Sequence, residues 1–208
     1  MYRNNSDRKR LAYAALLLFL AFLFLTGVVF AKWSTLIEFD QTVIAFLVGS
    51  RVPWLTSIAL WATHFGEFSV IATLGAIAAV LLVLRRHYLH KTFLITFFGS
   101  ALSFFVIKLL IERVRPEDTL PGYSAGFSSF PSGHTTMSAA LYGSLAIVLA
   151  HHTPPRFRPL VYAGAVLLVL LISWSRMYLG VHYPTDILGA LLLGAFWIVM
   201  GKLSSHKK

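Results

Sequence analysis

Cysteine is absent from all 208 residues, which excludes disulfide staples, thiolate metal sites and cysteine redox chemistry. Charge is scarce as well, with Asp, Glu, Lys and Arg together supplying 12 % of the chain, against about 25 % in an ordinary soluble domain. No internal repeat and no low-complexity tract breaks the sequence. What fills it instead is apolar: 57 % of residues are hydrophobic, 14 % are aromatic, and the mean hydropathy is +0.73. That is the composition of a membrane protein, and the apolar runs recur from end to end without a soluble stretch between them.

Six such runs fall at 11–31, 68–84, 92–111, 135–150, 160–174 and 185–200, most of them near the length needed to cross a hydrocarbon core. The fold class expected is therefore all-α, a single six-span helix bundle. The segment 36–61 carries Glu38, Asp40, Gln41 and Arg51 and is interrupted by Pro53, so it reads as an interfacial amphipathic stretch between spans one and two. The first span ends in Val29-Phe30-Ala31, which resembles a signal-peptidase site. Its apolar run exceeds the usual ~7–15-residue signal core, and an uncleaved anchor is expected.

Acidic residues number only eight against 18 basic ones, and a net charge of +10 raises the question of a nucleic-acid partner. Position answers it. Six spans place both termini on one side, and twelve of the 18 cations then share that face: Arg3, Arg8, Lys9 and Arg10, then Arg85, Arg86 and Lys91, then Arg156 and Arg158, then Lys202, Lys207 and Lys208. The positive-inside rule makes that face cytoplasmic, so the excess charge is topology and no nucleic acid is implied.

Of the basic residues left for the outer face, four gather where the third and fifth spans end: Lys108, Arg113, Arg115 and Arg176. A cation inside or beside an apolar run needs a partner or a function. Lys108 either snorkels, with Glu112 as its i+4 partner, or serves a ligand; if its helix continues to Pro116, Lys108 and Arg115 share one face about 10 Å apart. Next comes Pro131-Ser132-Gly133-His134 at the start of the fourth span. Ser132 suits a helix cap, while free N–H groups and Gly133 also suit an anion. Last is Ser175-Arg176, followed by His182 and Asp186. Pro184 belongs in a first helical turn, which brings the Asp186 carboxylate back toward His182 and fixes its tautomer. Two histidines and an aspartate also suit a divalent metal, but three neighbouring cations would repel one and complement a phosphate dianion.

Lys108 with six residues before Arg115-Pro116, then Pro131-Ser132-Gly133-His134, then Ser175-Arg176 with five residues before His182 and three before Asp186, resembles the complete three-part signature of the type 2 phosphatidic-acid phosphatase superfamily. The resemblance implies that His182 attacks phosphorus and becomes phosphohistidine, and that Asp186 orients it. His134 protonates the leaving oxygen, while Lys108, Arg115, Arg176, Ser132 and the Gly133 amide hold the phosphate; Arg113 and Ser175 stay secondary. It also implies no metal, no cofactor and no obligatory protein partner. The function expected is a membrane lipid phosphatase of the bacterial cytoplasmic membrane, with its site on the periplasmic side. Phosphatidylglycerophosphate, phosphatidic acid and undecaprenyl pyrophosphate are the candidate substrates. A lipid phosphotransferase on the same site, or a non-catalytic lipid-binding or transport protein, is the alternative. Selectivity is expected from the span surfaces and from loop 117–130, with Gly122 and Gly126 for mobility and Tyr123, Phe127 and Phe130 at the interface.

Overall fold

The computed structural model describes residues 5–117, 119–121, 123, 126 and 128–205, and every regular element among them is helical. In chain order these are α1 (Asn5–Phe30), α2 (Ser34–Gly49), α3 (Pro53–His64), α4 (Phe68–Leu84), α5 (His90–Leu110), α6 (Gly133–His152), α7 (Arg158–Tyr178) and α8 (Pro184–Ser204), with a 3₁₀ turn at Pro155–Phe157. Gly122 and Phe127 of the selectivity loop lie outside the described residues.

Among the described residues, five helical runs are long and apolar enough to cross a membrane: Asn5–Phe30, Pro53–Leu84 (α3 with α4), His90–Leu110, Pro155–Tyr178 and Pro184–Ser204. Their outward faces are lined by residues such as Leu17, Phe24, Leu84, Leu102, Leu110 and Leu167, all well exposed. Exposed apolar surface on this scale belongs against lipid. The expected fourth span, now α6, is not among the five, and its surroundings explain why. It packs against α5, α7 and α8 and buries Thr135, Thr136, Ser138 and Ser144. Thr136 and Ser144 direct their hydroxyls to carbonyls of the preceding turn, Ser132 O at 2.8 Å and Ala140 O at 2.6 Å. A helix that faces protein has no need of a continuous apolar surface, and Thr136 and Ser144 pair their hydroxyls within the helix itself.

Lipid tails are as apolar as leucine, so helix association in a bilayer depends on close packing through small residues. Gly194 shows this on α8, since a Cβ placed there would lie 2.7 Å from the Ala139 Cβ of α6. The connection from α7 to α8 uses Gly180 at φ 71°, a left-handed turn that ends α7 and aims residues 181–183 back across the helix ends. Pro184 then opens α8 in its first turn, as expected.

Two expectations are corrected. The helix carrying Lys108 stops at Leu110 rather than reaching Pro116, so Lys108 and Arg115 do not share a helical face. Its backbone is captured from outside: Ser128 Oγ donates to Ile111 O at 2.7 Å and accepts from Arg113 N–H at 3.1 Å, and Ser129 N–H donates to Arg113 O at 2.8 Å. Phe130 is not at an interface either. It is fully buried, stacked on Phe22 at 6.1 Å between centroids and seated over Gly189. The segment 36–61 resolves into α2 and most of α3, with Pro53 at the start of α3.

The Gly194 contact carries a prediction. Gly194→Leu forces α6 and α8 apart and is expected to destabilise the protein by about 1–3 kcal/mol, the usual range for overpacking. Thermal unfolding of the detergent-solubilised protein checks it, and an unchanged midpoint would mean that the two helices do not rely on this approach.

Candidate active site

The C-terminal ends of α5 and α7 and the N-terminal ends of α6 and α8 lie at one end of the bundle, and the sequence-derived residues meet there. His182 sits in the turn before α8, 2 % exposed, and Asp186 at the third position of α8 is fully buried. The Asp186 carboxylate folds back so that Oδ2 accepts from the Tyr183 N–H at 2.8 Å and from Ser129 Oγ, with His182 Nδ1 at 3.4 Å. A carboxylate at Nδ1 selects the tautomer protonated there. The lone pair is then on Nε2, which faces Arg115 Nη1 at 3.2 Å. Burial pushes the His182 imidazole well below the usual histidine range, to about 3, outweighing the opposing pull of Asp186. The ring is therefore neutral across the physiological range.

The cations converge on the same point. Lys108, in the last turn of α5, reaches the carbonyl of Ser128 with Nζ. Arg115 donates to Val181 O at 2.6 Å and to Gly126 O at 2.9 Å. Arg176, 2 % exposed in the last turn of α7, donates to Thr63 Oγ1 at 2.6 Å and to the Tyr123 hydroxyl, with its guanidinium 5.3 Å over the Tyr123 ring. Lys108 lies within electrostatic reach of Arg115, Arg176 and Asp186, and His134 within reach of Arg176, His182, Arg115 and Lys108. Each cation has an acceptor in loop 117–130, and Arg115 and Arg176 have a further one outside it, Val181 O and Thr63 Oγ1.

Ser132 takes the capping role open to it, its hydroxyl accepting from Thr135 N–H at 3.4 Å. Gly133 borders Lys108, where a Cβ would stand 3.9 Å from the lysine Cε and 3.3 Å from Phe104. His134 is held between Gly66 and the α6 terminus, and its Nε2 is buried with no partner among the described residues, as is Arg176 Nε. Ser175 turns back on its own helix, donating to Ile172 O at 2.6 Å.

A family model for the PAP2 superfamily matches residues 90–208. The chain belongs to the PAP2 superfamily. It is 34 % identical over 194 residues to phosphatidylglycerophosphatase B of Bacillus subtilis, covering 91 % of this chain and 94 % of that one. It is 25 % identical over 168 residues to undecaprenyl-diphosphatase of Sulfolobus acidocaldarius, covering 78 % and 76 %. The crystal structure of the transmembrane PAP2 type phosphatidylglycerolphosphate phosphatase from Bacillus subtilis superposes with a TM-score of 0.79 at 32 % identity, over 91 % of this chain and 94 % of that one. This PAP2 protein is thus an integral membrane enzyme of the lipid phosphatase class.

The PAP2 site also holds residues that no motif pointed to. Arg113, left secondary by sequence, bridges Asp186 Oδ1 at 2.6 Å and Asp40 Oδ2 at 2.6 Å. Ser129 and Thr63 were missed altogether, and Tyr123, expected at the interface, instead meets Arg176. The one available signal was Asp40 itself, one of the polar residues of the 36–61 stretch, and it is completely buried rather than solvated.

Asp186→Asn presents an amide where His182 needs an acceptor. Its kcat is expected to fall by roughly the 10²–10⁴-fold typical of lost acid–base support, with KM little changed. Steady-state kinetics on detergent-solubilised protein checks this, and a wild-type kcat would remove Asp186 from the site's chemistry.

Proposed function

We propose that this protein removes phosphate from a lipid at the outer membrane face through a phosphohistidine at His182. The single observation that carries the reading is the orientation of His182, with Nδ1 toward Asp186 and Nε2 toward the Arg115 guanidinium, where a phosphate would sit. Nε2 attacks phosphorus as the bond to the leaving oxygen breaks, and His134, taking up a proton with the phosphate dianion that offsets the surrounding cations, delivers it to that oxygen. Water then attacks the phosphohistidine and gives a proton to His134, which frees inorganic phosphate and restores both rings. Lys108, Arg115 and Arg176 hold the equatorial oxygens, where positioning and charge stabilisation supply most of the rate. Ser132 acts by fixing the α6 terminus, whose Gly133 amide faces the anion.

The membrane arrangement follows from the same reading. The 20 residues of α6, at ~1.5 Å each, match the ~30 Å of a hydrocarbon core, and α6 serves as the sixth span. Both termini then lie in the cytoplasm, the site opens outward, α4 alone makes the second crossing, and α2 and α3 lie at the interface. The names of the relatives favour phosphatidylglycerophosphate and undecaprenyl diphosphate as substrates, the acyl or prenyl chain staying in the bilayer.

The two histidines separate by leaving group. An alcohol, with a pKa near the ~15.7 of water, needs a proton to depart, whereas a nitrophenolate needs far less help because its parent phenol lies near ~10. His134→Ala is expected to lose much more kcat on a lipid monophosphate than on p-nitrophenyl phosphate, with a pyrophosphate lipid between them. His182→Ala is expected to be severe on all three. Phosphate release from the three substrates measures this, and an equal loss in the His134 variant would refute its role as acid.

A further inference from the structure

Asp40 lies outside all three signature segments, yet it is fully withdrawn from solvent and fully engaged. Its Oδ1 accepts from the Thr185 N–H at 3.1 Å, and its Oδ2 accepts from Arg113 Nη2 at 2.6 Å and from the Thr185 hydroxyl. Arg113 uses its other terminal nitrogen, Nη1, for Asp186 Oδ1 at 2.6 Å and Thr185 Oγ1 at 2.7 Å. One guanidinium therefore spans two buried carboxylates, with a single nitrogen on each.

That division is unusual for arginine, whose planar fork ordinarily takes both oxygens of one carboxylate in two parallel hydrogen bonds. Were Arg113 to do so here, it would occupy Asp186 Oδ2, the oxygen that faces His182 Nδ1 and accepts from Tyr183 N–H and Ser129. Asp40 prevents it by engaging Nη2. Charge points the same way, because the two acids would repel each other if the cation between them were lost.

We propose that Asp40 is a positioning residue for the nucleophile: it confines Arg113 to the Oδ1 side of Asp186 and so reserves Oδ2 for the His182 N–H. The helix α2, which contributes no signature residue, is thereby a working part of the site. The alternative is that the Asp40–Arg113 pair merely docks α2 against α8. This inference rests on the phosphohistidine reading above.

The test uses full-length protein in detergent with dioleoyl phosphatidic acid and p-nitrophenyl phosphate. Wild-type turnover comes first, since failure to hydrolyse either substrate would overturn the functional reading independently of Asp40. Asp40→Asn is expected to lower kcat ten- to hundredfold by the same factor on both substrates, with KM within twofold, because nucleophile orientation is indifferent to the leaving group. In an Asp186→Asn background the same substitution is expected to change kcat less than twofold, there being no carboxylate left to misdirect. A docking role predicts instead a lower unfolding temperature with wild-type kcat per folded molecule, or a loss that multiplies in full with Asp186→Asn, and either result overturns the proposal. Should Asp40→Asn fail to fold, Arg113→Lys decides: it keeps the charge but cannot span both acids. A kcat loss at unchanged KM supports the proposal, and a wild-type kcat refutes it.

Discussion

A fully buried carboxylate has to be met on every side, and Asp186 imposes that demand on the whole catalytic end of the molecule. Stranding such a charge by removing one partner typically costs about 3–5 kcal/mol. Its donors come from separate parts of the chain: Arg113 after α5, Ser129 before α6, and Tyr183 and His182 before α8. Satisfying Asp186 therefore draws three connections together at once. The backbone capture of residues 111–113 by Ser128 and Ser129 belongs to the same arrangement, because it ends α5 early and frees Arg113 to turn inward. The site and the packing of the helix ends are solutions to one electrostatic problem.

The rest of the bundle is organised from the opposite requirement. Large apolar side chains face outward on α1, α4, α5 and α7, while hydroxyl-bearing and small residues are gathered inside on α6 and α8. This suits a solvent of hydrocarbon, in which tight backbone approach holds helices together. A rigid, enclosed α6 gives His134 and the Gly133 amide a fixed place, and the long stems of Lys108 and Arg176 bring charge to it from neighbouring helix ends. Precise placement matters because phosphoryl transfer leaves the protein little covalent chemistry to perform beyond the nucleophile itself.

Much of this was legible in the sequence, for reasons that can be named. Apolar runs reveal helices whose surroundings are lipid, and the spacing within the segments around Lys108, His134 and His182 marks residues whose roles are local to a helix end. The hydropathy signal weakens at α6 because that helix faces protein, so its Thr and Ser dilute the run without exposing it. Helix continuation from Lys108 to Arg115 was misjudged because Ser128 and Ser129, more than a dozen residues downstream, compete for its backbone. Phe130 was placed at the membrane interface because it sits in a loop, yet it fills the space over Gly189, a tertiary contact that no local pattern encodes. Asp40 was hidden for the same reason. Its partner lies 73 positions away, and an acid in an amphipathic stretch reads first as a solvated one.

The central claim is that Nε2 of His182 carries the phosphoryl group between substrate and water. Rapid acid-free quenching of the protein during turnover of a ³²P-labelled lipid phosphate, followed by proteolysis and mass spectrometry, reads it directly. The account predicts a base-stable, acid-labile phosphoryl adduct on the peptide containing His182, absent from His182→Ala. A labelled peptide from elsewhere in the chain, or full turnover by the His182 variant, would contradict it.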